Sequence, residues 1–179
     1  RIERHVNLAD SVIMALSNFA RTPIPDARPF SIDELLREVL TDNPPGAEIQ
    51  VDLSIPEGTP RVVADRDQLS IVLSNLVRNA RDAMPNGGRL GIAATHEAGG
   101  SSLEIVVEDT GIGISRENLS RIMEPLFSTK ARGLGLGLSI ARAILDKNNG
   151  YLRVESELGR GSRFTMRVPT ESSTRETSQ

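Results

Sequence analysis

The chain has 179 residues, of which 38% are hydrophobic and 25% charged, enough for one ordinary domain with its own core and unlike a wholly disordered chain. It has no cysteine and only two histidines, His5 and His96, which excludes disulfides, a thiolate metal centre and a cysteine nucleophile and argues against a histidine zinc site. A net charge of -3 gives no reason to expect a nucleic-acid partner, and no apolar run approaches the roughly 20 residues that cross a bilayer, so no membrane contact by this chain is expected.

Residues 1–21 are expected to form one helix, because Ile2, Val6, Ala9, Ile13, Leu16 and Ala20 follow a heptad seam. That seam suits a helix packed lengthwise on another helix and, equally, an amphipathic helix lying on its own domain. Thr22-Pro23-Ile24-Pro25 ends it, so residues 22–29 read as a linker. Arg1 is not a natural start, and the chain is expected to be part of a longer protein. Ser31-Ile32-Asp33-Glu34 is a capping box that opens a helix through about Thr41, and Asn43-Pro44-Pro45-Gly46 stops it. Glu48 to Ile55 alternates polar and apolar residues, as a half-buried strand does, and Arg61 to Ala64 is a short strand candidate. Asp65 caps a long helix to Met84, with Leu69, Val72, Leu73, Leu76 and Ala80 on one face. After the turn Pro85-Asn86-Gly87-Gly88, Arg89–Thr95 and Leu103–Glu108 form a hairpin across Gly99-Gly100. Asp109 to Gly137 is punctuated by glycines and holds one short helix, capped by Ser115. Leu138 to Lys147 is helical and ends at Asn149-Gly150. Tyr151–Ser156 and Ser162–Val168 make a last hairpin, and the tail 170–179 is polar and expected to be disordered. Helices mixed with hairpin-linked strands predict a helical layer on a largely antiparallel sheet.

The only lysines, Lys130 and Lys147, follow Thr129 and Asp146, so the chain has no Gly-Lys-Ser/Thr phosphate loop and no Val-Ala-Ile-Lys of the protein kinases. Four other features carry chemistry. Asn75 and Asn79 are four residues apart and share one helix face. Taken alone they read as two solvated polar residues. Read functionally, a carboxamide oxygen ligates Mg²⁺, a hard cation that keeps waters and phosphate oxygens as its other ligands. Asp109-Thr110-Gly111-Ile112-Gly113-Ile114 follows an apolar strand. It is a tight turn, and it also suits a carboxylate accepting from an adenine amino group beside glycines that admit a flat ring. Glu124-Pro125-Leu126-Phe127-Ser128-Thr129-Lys130 sets one aromatic in a polar stretch, as a peg for a mobile loop, with Lys130 in reach of phosphates. Gly133-Leu134-Gly135-Leu136-Gly137-Leu138 runs into a helix, whose leading N–H groups form an anion site. The spacing and the absence of a preceding strand–helix–strand unit exclude a Rossmann fold.

In this order the four features resemble the nucleotide-binding boxes of sensor histidine kinases, whose ATP-binding domain belongs to the gyrase–chaperone–mismatch-repair–kinase superfamily. The resemblance covers about Phe30 to Pro169. It implies an α/β fold, an α+β two-layer sandwich with a mixed, largely antiparallel sheet covered on one face by helices. ATP and Mg²⁺ would be bound under a lid from about Glu117 to Gly137. Asn79 would ligate Mg²⁺ with Asn75 nearby, and Asp109 would bind the adenine amino group beside Gly111 and Gly113. Phe127 would support the lid. Gly133, Gly135 and Gly137 would flank the phosphates, and Lys130, Arg78 and Arg132 would neutralise them. Asp82, Ile114, Leu134, Leu136 and Leu138 complete the implied cofactor set. Asn75, Asn79 and Lys130 are the implied catalytic residues. Leu134 stands where many members have a hydroxyl residue, which removes a side-chain contact.

The same resemblance identifies 1–21 as the end of the second dimerisation and phosphotransfer helix. It makes residues 30–169 the catalytic domain of a cytoplasmic kinase whose parent is homodimeric and compatible with a membrane anchor. The partner helix with the phosphoacceptor histidine is expected to lie outside this sequence. His5 lacks the neighbours of such an acceptor and reads better as a surface histidine. The implied partners are ATP, that helix and a response-regulator receiver domain. The competing reading is an ATPase conformational switch of the same superfamily. Such relatives place a glutamate where Asn75 stands, and an amide cannot act as a general base.

Overall fold

The computed structural model describes residues 24–96, 100–129 and 134–171. The helix expected over 1–21 and residues 172–179 of the expected tail 170–179 lie outside them, whereas Thr170 and Glu171 are described. Three helices start as the polar residues before them dictate. Ser31 Oγ accepts the Glu34 N–H at 3.4 Å and opens α1 (Ile32–Asp42). Asp65 Oδ1 accepts the Gln68 N–H at 3.0 Å and opens α2 (Arg66–Ala83). Ser115 Oγ accepts the Asn118 N–H at 3.3 Å and opens the single turn α3 (Arg116–Leu119). Each cap satisfies a backbone donor that the helix itself leaves orphaned. The last helix, α4 (Gly137–Lys147), differs: Leu136 stands at its cap position and makes no side-chain cap hydrogen bond.

The strands are β1 (Arg28–Phe30), β2 (Ile49–Ser54), β3 (Val62–Ala64), β4 (Gly88–His96), β5 (Ser102–Asp109), β6 (Tyr151–Glu157) and β7 (Gly161–Pro169). Five of them form one sheet in the order β2-β4-β5-β7-β6. The two expected hairpins pair antiparallel, and β5 pairs antiparallel with β7. The β2–β4 pair is parallel, because the chain between these strands carries the crossover helix α2.

Strand alternation sorts the two faces. Ala94, Ile105 and Met166 are successive partners across the sheet, as are Ile92, Val107 and Phe164, and all six are buried. Leu35, Leu36 and Val39 of α1, Leu69, Leu73 and Leu76 of α2, and Ala141, Ile144 and Leu145 of α4 complete that core. The other sheet face carries paired surface charges, Arg163–Glu108 at 2.7 Å and Arg89–Asp52 at 3.0 Å. The result is the expected two-layer sandwich with helices on one face. β2 is less buried than its alternation predicts. It is an edge strand, and Val51 keeps 37% exposure.

Local pattern gave no sign of one small element. β1, which overlaps the end of the expected linker, pairs antiparallel with β3, with Arg28 opposite Ala64. Val62 on β3 also bridges to Thr170, which is buried. Asn148 ties α2 to α4. Its Nδ2 donates to Gln68 Oε1 and to the Ile144 carbonyl, both at 2.9 Å, and its Oδ1 accepts the Asp65 N–H at 2.8 Å. Among the described residues no helix is long and apolar enough to cross a membrane.

Candidate functional site

The same alternation that buries Leu103, Ile105 and Val107 puts Asp109 on the helix-covered face, at the end of β5. Its carboxylate is almost fully buried, and Oδ1 accepts the Gly111 N–H at 2.9 Å. A buried carboxylate at a strand end is costly without donors to satisfy it. It borders a cavity of about 850 Å³ enclosed by α2, the end of β5, α3 and the N-terminus of α4.

The cavity gathers most of the residues singled out in the sequence. Asn75, Arg78, Asn79 and Asp82 line it from α2. Asp109, Gly113 and Ile114 line it from the end of β5, and Phe127 and Leu134 to Leu138 line it from the other side. Gly111 stands outside the lining, and Lys130, Arg132 and Gly133 lie outside the described residues.

On the α2 wall the Asn75 side chain is buried, and its Oδ1 accepts from Arg78 Nη2 at 2.6 Å. A Cβ on Gly137 would lie 3.2 Å from that same oxygen, so the first turn of α4 rests on the amide. Asn79, one turn further on, offers the cavity a carboxamide, a hard oxygen ligand of the kind Mg²⁺ takes. Among the described residues no three His, Asp or Glu side chains cluster to hold a metal by themselves. A cation at Asn79 would draw its remaining ligands from water and phosphate. The N-terminus of α4 opens on the cavity without a side-chain cap, so its dipole and leading N–H groups favour an anion there.

The glycines have a second reason to be glycine. Gly113, at φ +66, would place a Cβ 2.0 Å from the Glu157 carbonyl. Gly135, at φ +67, would place one 2.3 Å from the Phe127 carbonyl. Gly111 presses on the Ala83 carbonyl, which also accepts the Ile112 N–H at 2.9 Å. These close approaches join the cavity walls backbone to backbone. Phe127 is held from outside by the Arg121 guanidinium, 4.4 Å from the ring centroid.

Two serines escaped the sequence reading. Ser162 is the register partner of Asp109 on β7, buried, and lines the cavity. Its hydroxyl lies 3.1 Å from Ser156 Oγ, which accepts the Ile114 N–H at 2.8 Å and donates to the Gly161 carbonyl at 2.7 Å. In sequence both look like strand residues. Only the β5–β7 register, a long-range pairing, brings Ser162 beside the carboxylate.

A buried acceptor at one end, an uncapped helix and a carboxamide at the other, and apolar walls such as Ile114, Ile140 and Phe164 between them suit a flat polar base joined to an anionic chain. The comparisons agree. Residues 64–172 match the family described as Histidine kinase-, DNA gyrase B-, and HSP90-like ATPase. The chain is 38% identical over 122 residues to the sensor histidine kinase ZraS of Escherichia coli (strain K12), covering 68% of this chain and 26% of that protein. It thus spans about a quarter of the length of that curated relative. Full-length ShkA in complex with AMPPNP superposes with a TM-score of 0.78 at 27% identity, over 90% of this chain and 36% of that one. The catalytic domain of histidine kinase ThkA superposes with a TM-score of 0.71 at 31% identity, over 81% of this chain and 96% of that one. By fold and by a family match over more than half its length, the chain belongs to the histidine kinase-, DNA gyrase B- and HSP90-like ATPases, as a catalytic domain of the kind found in histidine kinases.

Proposed function

We propose that the chain binds MgATP and transfers its γ-phosphoryl group to a histidine on a separate helix, as the catalytic part of a sensor histidine kinase. The observation that carries this reading is the convergence, in one cavity, of Asp109, the Asn75–Asn79 face of α2 and the uncapped N-terminus of α4. The AMPPNP complex of ShkA supports an adenine nucleotide as ligand.

Asp109 accepts a hydrogen bond from the adenine amino group. Asn79 would hold Mg²⁺ through its carboxamide oxygen, and the cation would supply charge neutralisation at the phosphates. Gly135, Gly137 and the first turn of α4 bind the phosphates through backbone N–H groups, with Arg78, and Lys130 and Arg132 of the lid, as cations. Phe127 seats the lid. An imidazole nitrogen attacks phosphorus in line, the N–P bond forms, the bond to the bridging oxygen breaks, and ADP leaves. The domain contributes positioning and charge neutralisation rather than covalent chemistry. Asn75 has no basicity with which to activate water, which favours transfer over hydrolysis. The parent protein, whether or not membrane-anchored, would act as a homodimer with this domain in the cytoplasm and pass the phosphoryl group to a response-regulator receiver domain.

The test is incubation with γ-labelled ATP, with and without a helix hairpin carrying the acceptor histidine. Acid-labile, base-stable label on the hairpin and little on the chain alone is the expected result. Rapid release of inorganic phosphate by the chain alone would replace this reading with that of a switch ATPase.

A further inference from the structure

A nucleotide's covalent order is base, sugar, phosphates. In the reading above, on which this inference rests, the base lies at Asp109 and the phosphates at Asn79 and the first turn of α4. A further stretch of the cavity lining comes from Ile112 to Ile122, from the end of β5 through α3. Two polar residues in this stretch line the cavity, Ser115 and Asn118, between the apolar side chains of Ile114 and Ile122. Ser115 Oγ is already engaged, accepting the Asn118 N–H at 3.3 Å as the cap of α3. The Asn118 carboxamide is half-buried and makes no hydrogen bond to any described residue. Its backbone is fixed on both sides. The N–H is held by Ser115, and the carbonyl accepts from the N–H groups of Arg121 at 2.8 Å and Ile122 at 3.0 Å. The amide is thus presented from a hydrogen-bonded turn.

We infer that Asn118 is a specificity-determining residue that hydrogen-bonds the ribose and makes the site prefer ribonucleotides. A carboxamide both donates and accepts, and so does each sugar hydroxyl, so the pair is complementary whichever way the hydroxyl turns. A site with a polar group placed for a hydroxyl discriminates against the analogue that lacks it, because the protein group is left unpaired.

Calorimetric titration of the chain with MgATP, Mg-2′-deoxy-ATP and Mg-3′-deoxy-ATP tests this, using wild type, Asn118→Ala and Asn118→Gln. The wild type is expected to bind one of the two deoxy analogues about 3- to 10-fold more weakly than ATP, the range of one neutral hydrogen bond. Asn118→Ala is expected to lose ATP affinity by that same factor and to bind ATP and that analogue alike. Asn118→Gln is expected to recover part of the discrimination. A wild type that binds all three equally, or an alanine variant that keeps the wild-type preference, would overturn the inference while leaving the nucleotide site intact. Failure of the wild type to bind ATP at all would overturn the nucleotide reading, and this inference with it.

Discussion

Arg78 Nη2 donates a 2.6 Å hydrogen bond to Oδ1 of Asn75, three residues back along α2. The partner is a neutral amide, and among the described residues no carboxylate pairs with Arg78. In the proposed function the guanidinium, which lines the cavity, would offer its charge to a phosphate. Asn75→Asp would turn the contact into an ion pair and add a negative charge beside the triphosphate. MgATP affinity is expected to fall about tenfold, near 1.4 kcal/mol. Titration calorimetry checks it, with Asn75→Ser as the neutral control. Equal affinities for the two variants would remove Arg78 from the phosphate site.

Asn79 is the only side chain assigned to the metal. Asn79→Ala is expected to weaken binding of MgATP by at least tenfold and of ATP in EDTA by much less. Titrations in the two buffers separate the roles. Equal losses in both would show that Asn79 contacts nucleotide rather than cation.

Asp109 is a buried acceptor whose orientation the Gly111 N–H fixes at 2.9 Å. Guanine places a carbonyl where adenine has its amino group, so a carboxylate there would meet an acceptor. GTP is expected to bind more weakly than ATP by about 1–3 kcal/mol. Competition against a fluorescent ATP analogue reads the difference directly, and parity between the two nucleotides would reassign the base end of the cavity.

The Asn148 side chain, 3% exposed, satisfies the Asp65 N–H and the Gln68 amide oxygen at once. Asn148→Leu removes the hydrogen bonds to the part-buried Asp65 N–H and to the Gln68 amide oxygen. The expected cost is about 2–4 kcal/mol, measured as a shift of the urea unfolding midpoint at constant slope. α2 and α4 would lose their anchor far from the cavity, so nucleotide affinity should drop along with stability.

The surface pair of α1 and α2 gives a pH signature. The side-chain hydrogen bond from Arg66, followed by its charge, holds the Glu38 carboxyl below its ordinary value. The unfolded chain titrates at that ordinary value. The pair's stabilisation is therefore complete above the usual glutamate range and is lost as pH falls through the depressed folded value. Both groups are solvent-accessible, so the effect is small and screened by salt. Melting curves on the acid side, with and without Glu38→Gln, should differ in slope at low salt and converge at high salt.

Where one residue governs one turn, the sequence was readable. Ser31, Asp65 and Ser115 each accept from the N–H three positions on, as their residue types predict. The apolar period of α2 and the two hairpins follow from spacing alone. The parallel β2–β4 pair and the β1–β3 pair join segments far apart in sequence, and nothing local encodes such partners. The site divides the same way. Asp109 stands out as an acid at the end of an apolar alternation, whereas Ser162 becomes visible only through register. The glycines drew attention as neighbours for a ligand. The packing adds a cause that no motif states, carbonyl groups of Ala83, Glu157 and Phe127 lying where a methyl group would stand.

Arg28 and Thr170 both pair with β3, at Ala64 and at Val62. The entrance and the exit of the domain therefore sit side by side on one strand of three residues. A domain so arranged suits circular permutation. Its ends join through a short linker, and new ends open at Gly58, at φ +75 with nothing within 4 Å of where a Cβ would be. Tension from the N-terminal side is borne first by the β1–β3 ribbon, whereas from the C-terminal side it passes through Thr170 into β7, which pairs with the strand of Asp109. Pulled from the N-terminal side, the domain would peel at the β1–β3 ribbon before the strands that carry Asp109 and Ser162 are loaded.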